Sequence, residues 1–356
     1  MKIYFRVDAS VHIGSGHVMR CLSLAEVFKN NAHDVVFVMR PQPGDLCDYT
    51  QSRGFKVERL EEPAEWMIPR TTADYQAWLQ VPVTADAEDF LSVAADADLV
   101  VIDHYGIDEH WEAFVKSRTL CKLIAIDDLV REHNCDMIID QTVGREAGEY
   151  LVTSPDIHVL TGSKYALLKE RFSLLHPIAV EKEIDKHAHQ LLLTMGGIDN
   201  PNATLKVLNA MSLREALIQT TVLLGDKAPH FDSVYSFCES HSDWVTHIPF
   251  CEDMAALMLE HTIAIGAPGS TSWERACMGL PCVMVPLADN QLQICQNLVK
   301  EKAAMSLSLD EIPAQLNAKL DELLHNFESM RHNSLNLCDG KGGSRVVEQI
   351  RKLGWF

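Results

Sequence analysis

The sequence lacks an apolar run long enough to cross a bilayer, and the apolar residues at its start are interrupted by Arg6 and Asp8. We therefore expect no signal peptide and no membrane insertion, and the chain is predicted to be cytoplasmic. The ten cysteines include no C-x-x-C pair and no Cys/His cluster at zinc spacing. Even the closest pair, Cys277 and Cys282, lies in apolar surroundings, so reduced packing residues are expected, with no metal and no other cofactor.

Positive charge is also scarce in this chain. Lys and Arg number 31 against 50 Asp and Glu, which gives a formal net charge of −19. Phosphate backbones and anionic membranes repel such a chain, so no nucleic-acid partner is predicted. The content of 47% apolar and 23% charged residues is typical of a globular protein, and 356 residues suffice for two domains. A small-molecule substrate is the expected partner, and a monomer is favoured.

Short apolar runs recur in the first half of the chain and suit parallel strands covered on both faces. The predicted strands span residues 2–7, 35–39, 99–102, 122–126 and 137–139. Helical patterns lie between them, which indicates an α/β arrangement. Residues 41–95 are punctuated by prolines, and there we expect only a strand near 55–57 and a helix near 84–95.

The pattern restarts after a polar stretch, 181–190, which we interpret as a linker. Further strands are predicted at 191–194, 221–224, 262–265 and 282–285. The expected fold class is therefore α/β with two Rossmann-like lobes and an interlobe cleft. The predicted domains are 1–180 and 187–338, and residues 339–356 are expected to form a C-terminal helix, for which a return to the first lobe is considered.

The first motif is IGSGHVMR, residues 13–20, directly after the first strand. Gly14 and Gly16 let the backbone pass close to a ligand, and the helix that follows offers free N–H groups. Met19 occupies the third glycine position of a dinucleotide fingerprint, which excludes that site. His17 is a candidate base near neutral pH, and a helix-capping or core histidine is an equally weighted interpretation.

A second motif, DHYGID, follows the strand at 99–102. If the sheet is parallel, Asp103 and Tyr105 lie on the same edge as His17. Tyr105 could bond a substrate or orient a water molecule; alternatively, Asp103 caps a loop and Tyr105 packs. The next strand ends in IDDL, where structural or supporting roles are expected for Asp127 and Asp128.

Two glycine-containing turns are candidate phosphate sites in the second half. The pair Gly196 and Gly197 follows a strand, with Asn202 or Asp199 as the expected cap of the next helix. The stronger pattern is 265–291, where a strand is followed by three residues that open a helix and can hold phosphate oxygens: Gly269, Ser270 and Thr271.

Three further polar residues belong to the pattern at 265–291. Glu274 lies about one turn into the helix, where its carboxylate could accept both ribose hydroxyls. Asn290 and Gln291 could reach a ligand as amide donors. The alternative is an ordinary αβ unit with a Ser/Thr cap.

These blocks occur together and in a fixed order along the chain: RVDASVHIGSGHVMRCLSLA, DHYGID, IDDL, YALLKERF, TMGGIDNPN, GSTSWERACMGLP, ADNQ and DGKGGSRV. In that order they resemble the UDP-sugar hydrolases of the pseudaminic acid pathway, over nearly the whole chain. The C-terminal lobe also looks like the nucleotide-binding lobe of the lipid II GlcNAc transferase and other GT-B enzymes.

The resemblance implies a GT-B fold and hydrolysis of UDP-2,4-diacetamido-2,4,6-trideoxy-β-L-altropyranose to the free sugar and UDP, with inversion and without a metal. His17 would then position and deprotonate the attacking water. Tyr105 and Asn290 match family positions that contact the sugar or the reacting centre, and Glu274 matches a ribose-binding glutamate. Substrate contacts are also expected from residues of the shared blocks: Asp8, Gly14, Gly16, Arg20, Tyr165, Gly196, Gly197, Gly269, Ser270, Thr271 and Gln291.

Other functions are compatible with the same motifs, and one of them is a hydrolase for a related UDP-diacetamido sugar. A GT-B glycosyltransferase would keep the nucleotide site and use an alcohol acceptor. A UDP-sugar epimerase would give a different sugar, and a nucleotide-sugar binding protein would lack turnover. His17 beside a glycine loop argues, weakly, against the binding protein.

Overall fold

The computed structural model describes residues 1–71, 73–185, 188–288 and 291–356. The described chain divides into two compact units, the first formed by Met1–Glu170 with Lys341–Phe356 and the second by Arg171–Gly340. The division falls ahead of the polar stretch 181–190, in which the linker was predicted. The helical C-terminal residues belong to the first unit.

The first unit is built on a seven-stranded sheet with the order β3-β2-β1-β4-β5-β6-β7. Every neighbouring pair in this sheet is parallel. The strands are β1 Lys2–Val7, β2 Asp34–Met39, β3 Lys56–Arg59, β4 Leu99–Asp103, β5 Lys122–Ile126, β6 Met137–Asp140 and β7 His158–Thr161.

Alternate strand residues of the first unit enter two separate cores, one on each face of the sheet. Ile3 and Phe5 pack in one core with Phe28, and Tyr4 packs in the other with Phe90 and Trp111. The helices of the unit are α1 Gly16–Asn30, α2 Cys47–Ser52, α3 Tyr75–Leu79, α4 Val83–Ala94, α5 Glu109–Lys116, α6 Ala147–Leu151 and, at the end of the chain, α15 Gly342–Lys352. Helix α15 packs against α1 through Val346 and Ile350.

The second unit contains a six-stranded parallel sheet with the order β10-β9-β8-β11-β12-β13. Its strands are β8 Gln190–Thr194, β9 Gln219–Leu223, β10 Val245–Ile248, β11 Ile263–Gly266, β12 Cys282–Met284 and β13 Ala304–Ser306. Its helices are α7 Glu170–Glu181, α8 Ala203–Met211, α9 Phe231–Ser240, α10 Met254–Glu260, α11 Ser270–Cys277, α12 Leu292–Lys300, α13 Ile312–His325 and α14 Phe327–Leu337. The α/β class with two parallel sheets is confirmed.

In both sheets the strand order reverses beside the first strand of the unit. Strand β1 lies between β2 and β4, and β8 lies between β9 and β11. Such a reversal leaves a crevice at the carboxyl ends of the two central strands, where α/β proteins bind ligands. The glycine motifs of the sequence follow β1, β8 and β11, so they lie at these two positions.

Sequence reasoning missed three strands: β7, β10 and β13. Each of them is an edge strand of its sheet. Each is only three or four residues long and is partly exposed, so it shows no continuous apolar run. The central strands, which are buried on both faces, were predicted to within a residue or two.

Among the residues that the structure describes, no helix has both the length and the apolar character needed to cross a membrane.

A buried ion network joins β1, β2 and α4 in the first unit. Asp86 accepts hydrogen bonds from Arg6 at 2.6 Å and from Arg40 at 3.0 Å, and also from the Trp111 indole at 3.0 Å. Burial alone would raise the pKa of Asp86, but Arg6 and Arg40 outweigh it and lower that pKa to about 2. The carboxylate therefore stays charged at neutral pH.

Removing that carboxylate should destabilise the first unit strongly. Asp86→Ala leaves two buried guanidinium groups without a shared counter-charge, and we expect a loss of about 3–5 kcal/mol in the free energy of unfolding. Asp89→Ala is the matched control, since Asp89 pairs with the same Arg40 but its side chain is 40% exposed. The control should lose at most about 1 kcal/mol in urea unfolding. Equal losses for the two variants would contradict this account.

A second network gives the first unit a pH-dependent contribution to stability. His133 Nδ1 lies 2.8 Å from Glu112, and Nε2 lies 3.6 Å from Asp127. Burial alone would lower the pKa of His133, but the neighbouring carboxylates of Asp127 and Glu112 outweigh it and raise that pKa to about 9. Because the folded pKa is raised, the contribution is full below the unfolded pKa of about 6.5 and is lost as pH rises through about 9.

The free energy of unfolding of the wild-type protein should thus fall between pH of about 6.5 and about 9. His133→Gln should be less stable at the acid end of this range and should show a flatter pH dependence. His158→Gln, a change at an exposed histidine of the same unit, should keep the wild-type slope. A wild-type slope in His133→Gln would show that another group titrates.

Candidate active site

The first candidate site begins at the loop that connects β1 to α1. Ser10 holds this loop, because its hydroxyl accepts from the amides of His12 and Ile13, and its carbonyl accepts from Gly14. Gly14 has a φ of 78°, which favours glycine. Apart from the adjoining backbone, no described heavy atom lies within 4 Å of the position that a Cβ would take at Gly14 or Gly16. Their Cα atoms therefore face open space, where a ligand can approach the backbone closely.

His17, in the first turn of α1, forms a hydrogen bond with the last residue of β4. Its Nδ1 lies 2.6 Å from the Asp103 carboxylate, and its side chain is 10% exposed. Since an ionised carboxylate only accepts, the proton of a neutral imidazole is on Nδ1 and the lone pair is on Nε2. Among the described residues Nε2 has no hydrogen-bond partner. This arrangement can take a proton from a bound molecule.

Arg20 lies one helical turn after His17 and forms a two-pronged ion pair with the same carboxylate. Its Nε and Nη2 each lie 2.6 Å from an Asp103 oxygen. Burial alone would raise the pKa of Asp103, but Arg20 and His17 outweigh it and hold that pKa below its usual range. Asp103 thus remains an acceptor for His17 and orients the imidazole.

The sequence does not reveal the role of Asp103, because its pattern is compatible both with a loop cap and with a residue on the same edge as His17. The signal that identifies it is the strand register. Strand β4 pairs directly with β1, and Asp103 stands opposite Val7, the residue before the candidate loop begins. Adjacency of these two strands could not be read from spacing alone.

Tyr105, predicted to be catalytic, lies beside His17. The two rings meet edge to face with centroids 4.7 Å apart. The Tyr105 hydroxyl donates to Asp128, which also lies 3.4 Å from Arg20. Burial and the Asp128 charge raise the pKa of Tyr105 well above its usual value, so it remains a phenol. Asp128 supports Tyr105 and Arg20, in line with the supporting role expected for it.

Helix α3, within the segment 41–95, covers this group of side chains. The Trp78 ring stacks on Tyr105 at 5.8 Å and lies 6.2 Å from His17, and Tyr75 lies 5.0 Å from Tyr105. A Cβ on Gly106 would lie 2.4 Å from the Tyr75 carbonyl oxygen, so this approach requires glycine. Tyr105 and Trp78 therefore both lie against the His17 imidazole. Sequence reasoning gave no role to this segment.

Two predicted substrate-binding residues are buried in the first unit. Asp8 is fully buried, and its carboxylate accepts from Arg6 at 2.6 Å and from the Arg40 amide at 2.7 Å. Tyr165 is 8% exposed in a 3-10 turn, Ser163–Tyr165, and packs in the core beside β1. Their contacts with a substrate remain predictions.

The second candidate site lies at the carboxyl ends of β8 and β11. Gly196 follows β8 with a φ of 88°, and a Cβ added at Gly196 or Gly197 would meet no heavy atom of the described residues within 4 Å, apart from the chain neighbours. Asp199, rather than Asn202, caps α8, because its carboxylate accepts from Ala203 at 2.8 Å and Thr204 at 2.9 Å. Between the two expected caps, the structure thus selects Asp199.

The neighbouring strand β11 ends at Gly266 and leads into α11. A Cβ on Gly266 would lie 2.5 Å from the Thr194 carbonyl oxygen, so glycine allows the two turns to come together. The amide of Gly269 donates to the Ser272 hydroxyl at 3.2 Å. The amides of Ser270 and Thr271 have no acceptor among the residues that the structure describes. The start of α11 thus presents two free donors.

The remaining residues predicted to bind or act on a substrate in the second unit differ in position and in contacts. Glu274 is half-buried on α11, one turn after its start. Gln291 precedes α12, and its side-chain oxygen accepts from the Leu287 amide at 2.8 Å. Asn290, which was predicted to be catalytic, lies outside the described residues. The structure therefore brings together His17, Arg20 and Tyr105 in the first unit, and the two glycine turns in the second.

Residues 179–349 match the model of the glycosyltransferase family 28 C-terminal domain. Over the whole chain, an uncharacterized protein of Methanocaldococcus jannaschii is 28% identical across 99% of this chain and 66% of its own length. The chain thus spans just under two thirds of that relative. A UDP-2,4-diacetamido-2,4,6-trideoxy-beta-L-altropyranose hydrolase of Campylobacter jejuni is 26% identical across 73% of this chain and 82% of its own length.

The fold has counterparts among solved structures. The crystal structure of MurG from Acinetobacter baumannii is similar with a TM-score of 0.69, covering 99% of each chain at 14% identity. This likeness confirms the expected GT-B fold. The second unit of this chain is thus similar to a glycosyltransferase family 28 C-terminal domain, in a protein whose two parallel-sheet units follow the GT-B pattern.

Proposed function

We propose that this chain is an inverting nucleotide-sugar hydrolase in which His17 activates water. The proposed substrate is UDP-2,4-diacetamido-2,4,6-trideoxy-β-L-altropyranose, which gives the free sugar and UDP in pseudaminic acid biosynthesis. The observation that carries the proposal is the His17–Asp103 pair, with Nε2 unbonded among the described residues beside a loop of open glycines. The named hydrolase of Campylobacter jejuni supports the choice of substrate.

The proposed reaction needs one base and one site for the leaving group. Water attacks the anomeric carbon and gives its proton to His17 Nε2, while the bond from that carbon to the UDP oxygen breaks and its electrons stay on UDP. Attack opposite to the leaving group inverts the anomeric centre. Asp103 stabilises the imidazolium that forms, and a positioned base of this kind contributes about 10²–10⁴-fold in rate.

The second unit supplies the nucleotide site in this proposal. Negative charge grows on the UDP oxygen as the sugar leaves, and the free amides of Ser270 and Thr271 at the start of α11 are suitable donors for phosphate oxygens. UDP is a good leaving group, so no strong general acid is required. Glu274 would accept from the ribose hydroxyls, as the resemblance to the wider fold implies.

A glycosyltransferase is the second candidate, and a specific observation favours it. The match over residues 179–349 is to a glycosyltransferase domain. In that reaction His17 would take the proton of an acceptor hydroxyl instead of that of water. The residues of the first unit could perform either step, and the nature of the nucleophile distinguishes them.

Replacing the base should separate turnover from binding. His17→Gln is expected to lower kcat by about 10²–10⁴-fold, because water loses its proton acceptor. The Kd for UDP should change less than about two-fold, since the contacts proposed for the nucleotide lie in the second unit. The matched control is His12→Gln, a change at an exposed histidine of the same loop, which should keep wild-type turnover. Normal turnover in His17→Gln would exclude His17 as the base.

The anomeric configuration of the first product tests the reaction type. Proton NMR of the proposed UDP-sugar with the enzyme, without added metal or acceptor, should show UDP release and initial appearance of the opposite anomer. Retention of configuration would rule out direct attack by water. An unchanged substrate that reacts only after an alcohol is added would identify a transferase.

A further inference from the structure

The described part of the chain buries four arginines, and three of them are neutralised by carboxylates. The pairs are Arg6 with Asp8 and Asp86, Arg20 with Asp103, and Arg40 with Asp86 and Asp89. The fourth is Arg275 on α11, which is 1% exposed. Within the described ranges no carboxylate lies at ion-pair distance from it, so it differs from the other three.

Within the described part of the chain, Arg275 donates only to uncharged oxygens. Its Nη2 lies 3.0 Å from the Ala267 carbonyl and 3.1 Å from the Ser272 hydroxyl, and Nη1 lies 3.3 Å from the Thr271 hydroxyl. A Cβ on Gly266 would lie 2.8 Å from Nη1. The guanidinium therefore lies directly against the turn that joins β11 to α11.

These acceptors are neutral, so among the described residues the guanidinium of Arg275 has no direct counter-charge. A buried ion without a counter-charge is costly by several kcal/mol, which is why such groups are usually paired. The positive end of the α11 dipole and the free amides of Ser270 and Thr271 lie at the same turn. Several sources of positive potential thus converge there, and no described carboxylate lies at ion-pair distance from Arg275.

We propose that Arg275 is a positioning residue of the nucleotide site, a buried cation that strengthens diphosphate binding through the turn 266–272 without touching the ligand. This inference rests on the proposed function, because it assigns the start of α11 to the diphosphate. The anion supplies the missing counter-charge. The same field stabilises the charge that develops on UDP when the sugar bond breaks.

The proposal predicts that Arg275 contributes to the preference for UDP over uridine. UDP and uridine share the base and the ribose, so the ratio of their affinities measures the contribution of the diphosphate to binding. By calorimetry, Arg275→Gln should lower UDP affinity by about ten-fold or more and change uridine affinity by less than about two-fold. Arg275→Lys keeps the charge and should retain most of the wild-type ratio.

The matched control is Arg331→Gln in the same unit. Arg331 is half-buried and also donates to backbone carbonyls, those of Ala179 and Lys182. Arg331→Gln removes the same charge as Arg275→Gln, and it should keep the wild-type ratio of UDP affinity to uridine affinity. Equal weakening of UDP and uridine by Arg275→Gln would identify a purely structural arginine and overturn the proposal, as would no weakening.

A measurement on the wild-type protein tests the same claim without any variant. A buried cation is poorly screened, so raising the salt from about 50 to about 500 mM should change the UDP-to-uridine affinity ratio by less than about three-fold. A ratio that collapses with salt would assign the preference to exposed cations, and the proposal would fall.

These binding experiments are independent of hydrolysis. If Arg275→Gln weakens UDP binding as expected while no UDP-sugar is hydrolysed, the inference stands and the proposed function fails. If the sugar is released but the affinity ratio does not depend on Arg275, the inference alone fails.

Discussion

Asp103 is shared by two side chains of α1, and the candidate active site depends on this carboxylate. Arg20 holds it from one side with two bonds of 2.6 Å, and His17 bonds to it at the same distance. The arginine keeps the carboxylate ionised, and the ionised carboxylate fixes which nitrogen of His17 carries the proton. Without this carboxylate, the buried Arg20 would lose its two-pronged ion pair, and His17 would lose the acceptor that orients its ring.

The sheet topology explains why these groups meet. Residues 17 and 103 are far apart in the chain, but β1 and β4 are adjacent and parallel, so the loop after one and the end of the other share an edge. The same reversal beside β8 brings the glycine turns of the second unit together. Both sites therefore follow from strand order, and helix α3 adds the aromatic cover over His17.

A strand or a site residue can be predicted from the sequence when neighbouring residues alone carry the pattern that identifies it. The central strands are continuous apolar runs, and the loop with Gly14, Gly16 and His17 follows one of them, so both could be read from the sequence. The edge strands β7, β10 and β13 could not, because they are short and partly exposed. The role of Asp103 needed the register of β4, and the packing of Trp78 on His17 needed the path of residues 41–95.

Arg275 illustrates a further limit of the sequence. A guanidinium on a helix usually indicates a solvated face, and neither its burial nor its lack of a described carboxylate partner can be read from composition. In a chain with a net charge of −19, general attraction for an anionic nucleotide is absent. Binding of a diphosphate would have to come from local groups, and buried charge together with helix-end amides is well suited to that task.

In the proposed reaction, water activated by His17 attacks the sugar carbon rather than phosphorus. The most direct test is to run the reaction in water that carries a heavy oxygen isotope and to weigh both products by mass spectrometry. The label should enter the free sugar during turnover, and UDP should remain unlabelled. Because free sugars exchange oxygen slowly at the anomeric carbon, a control of unlabelled sugar incubated alone sets the background. Label in the UDP phosphate would show attack at phosphorus and contradict the account.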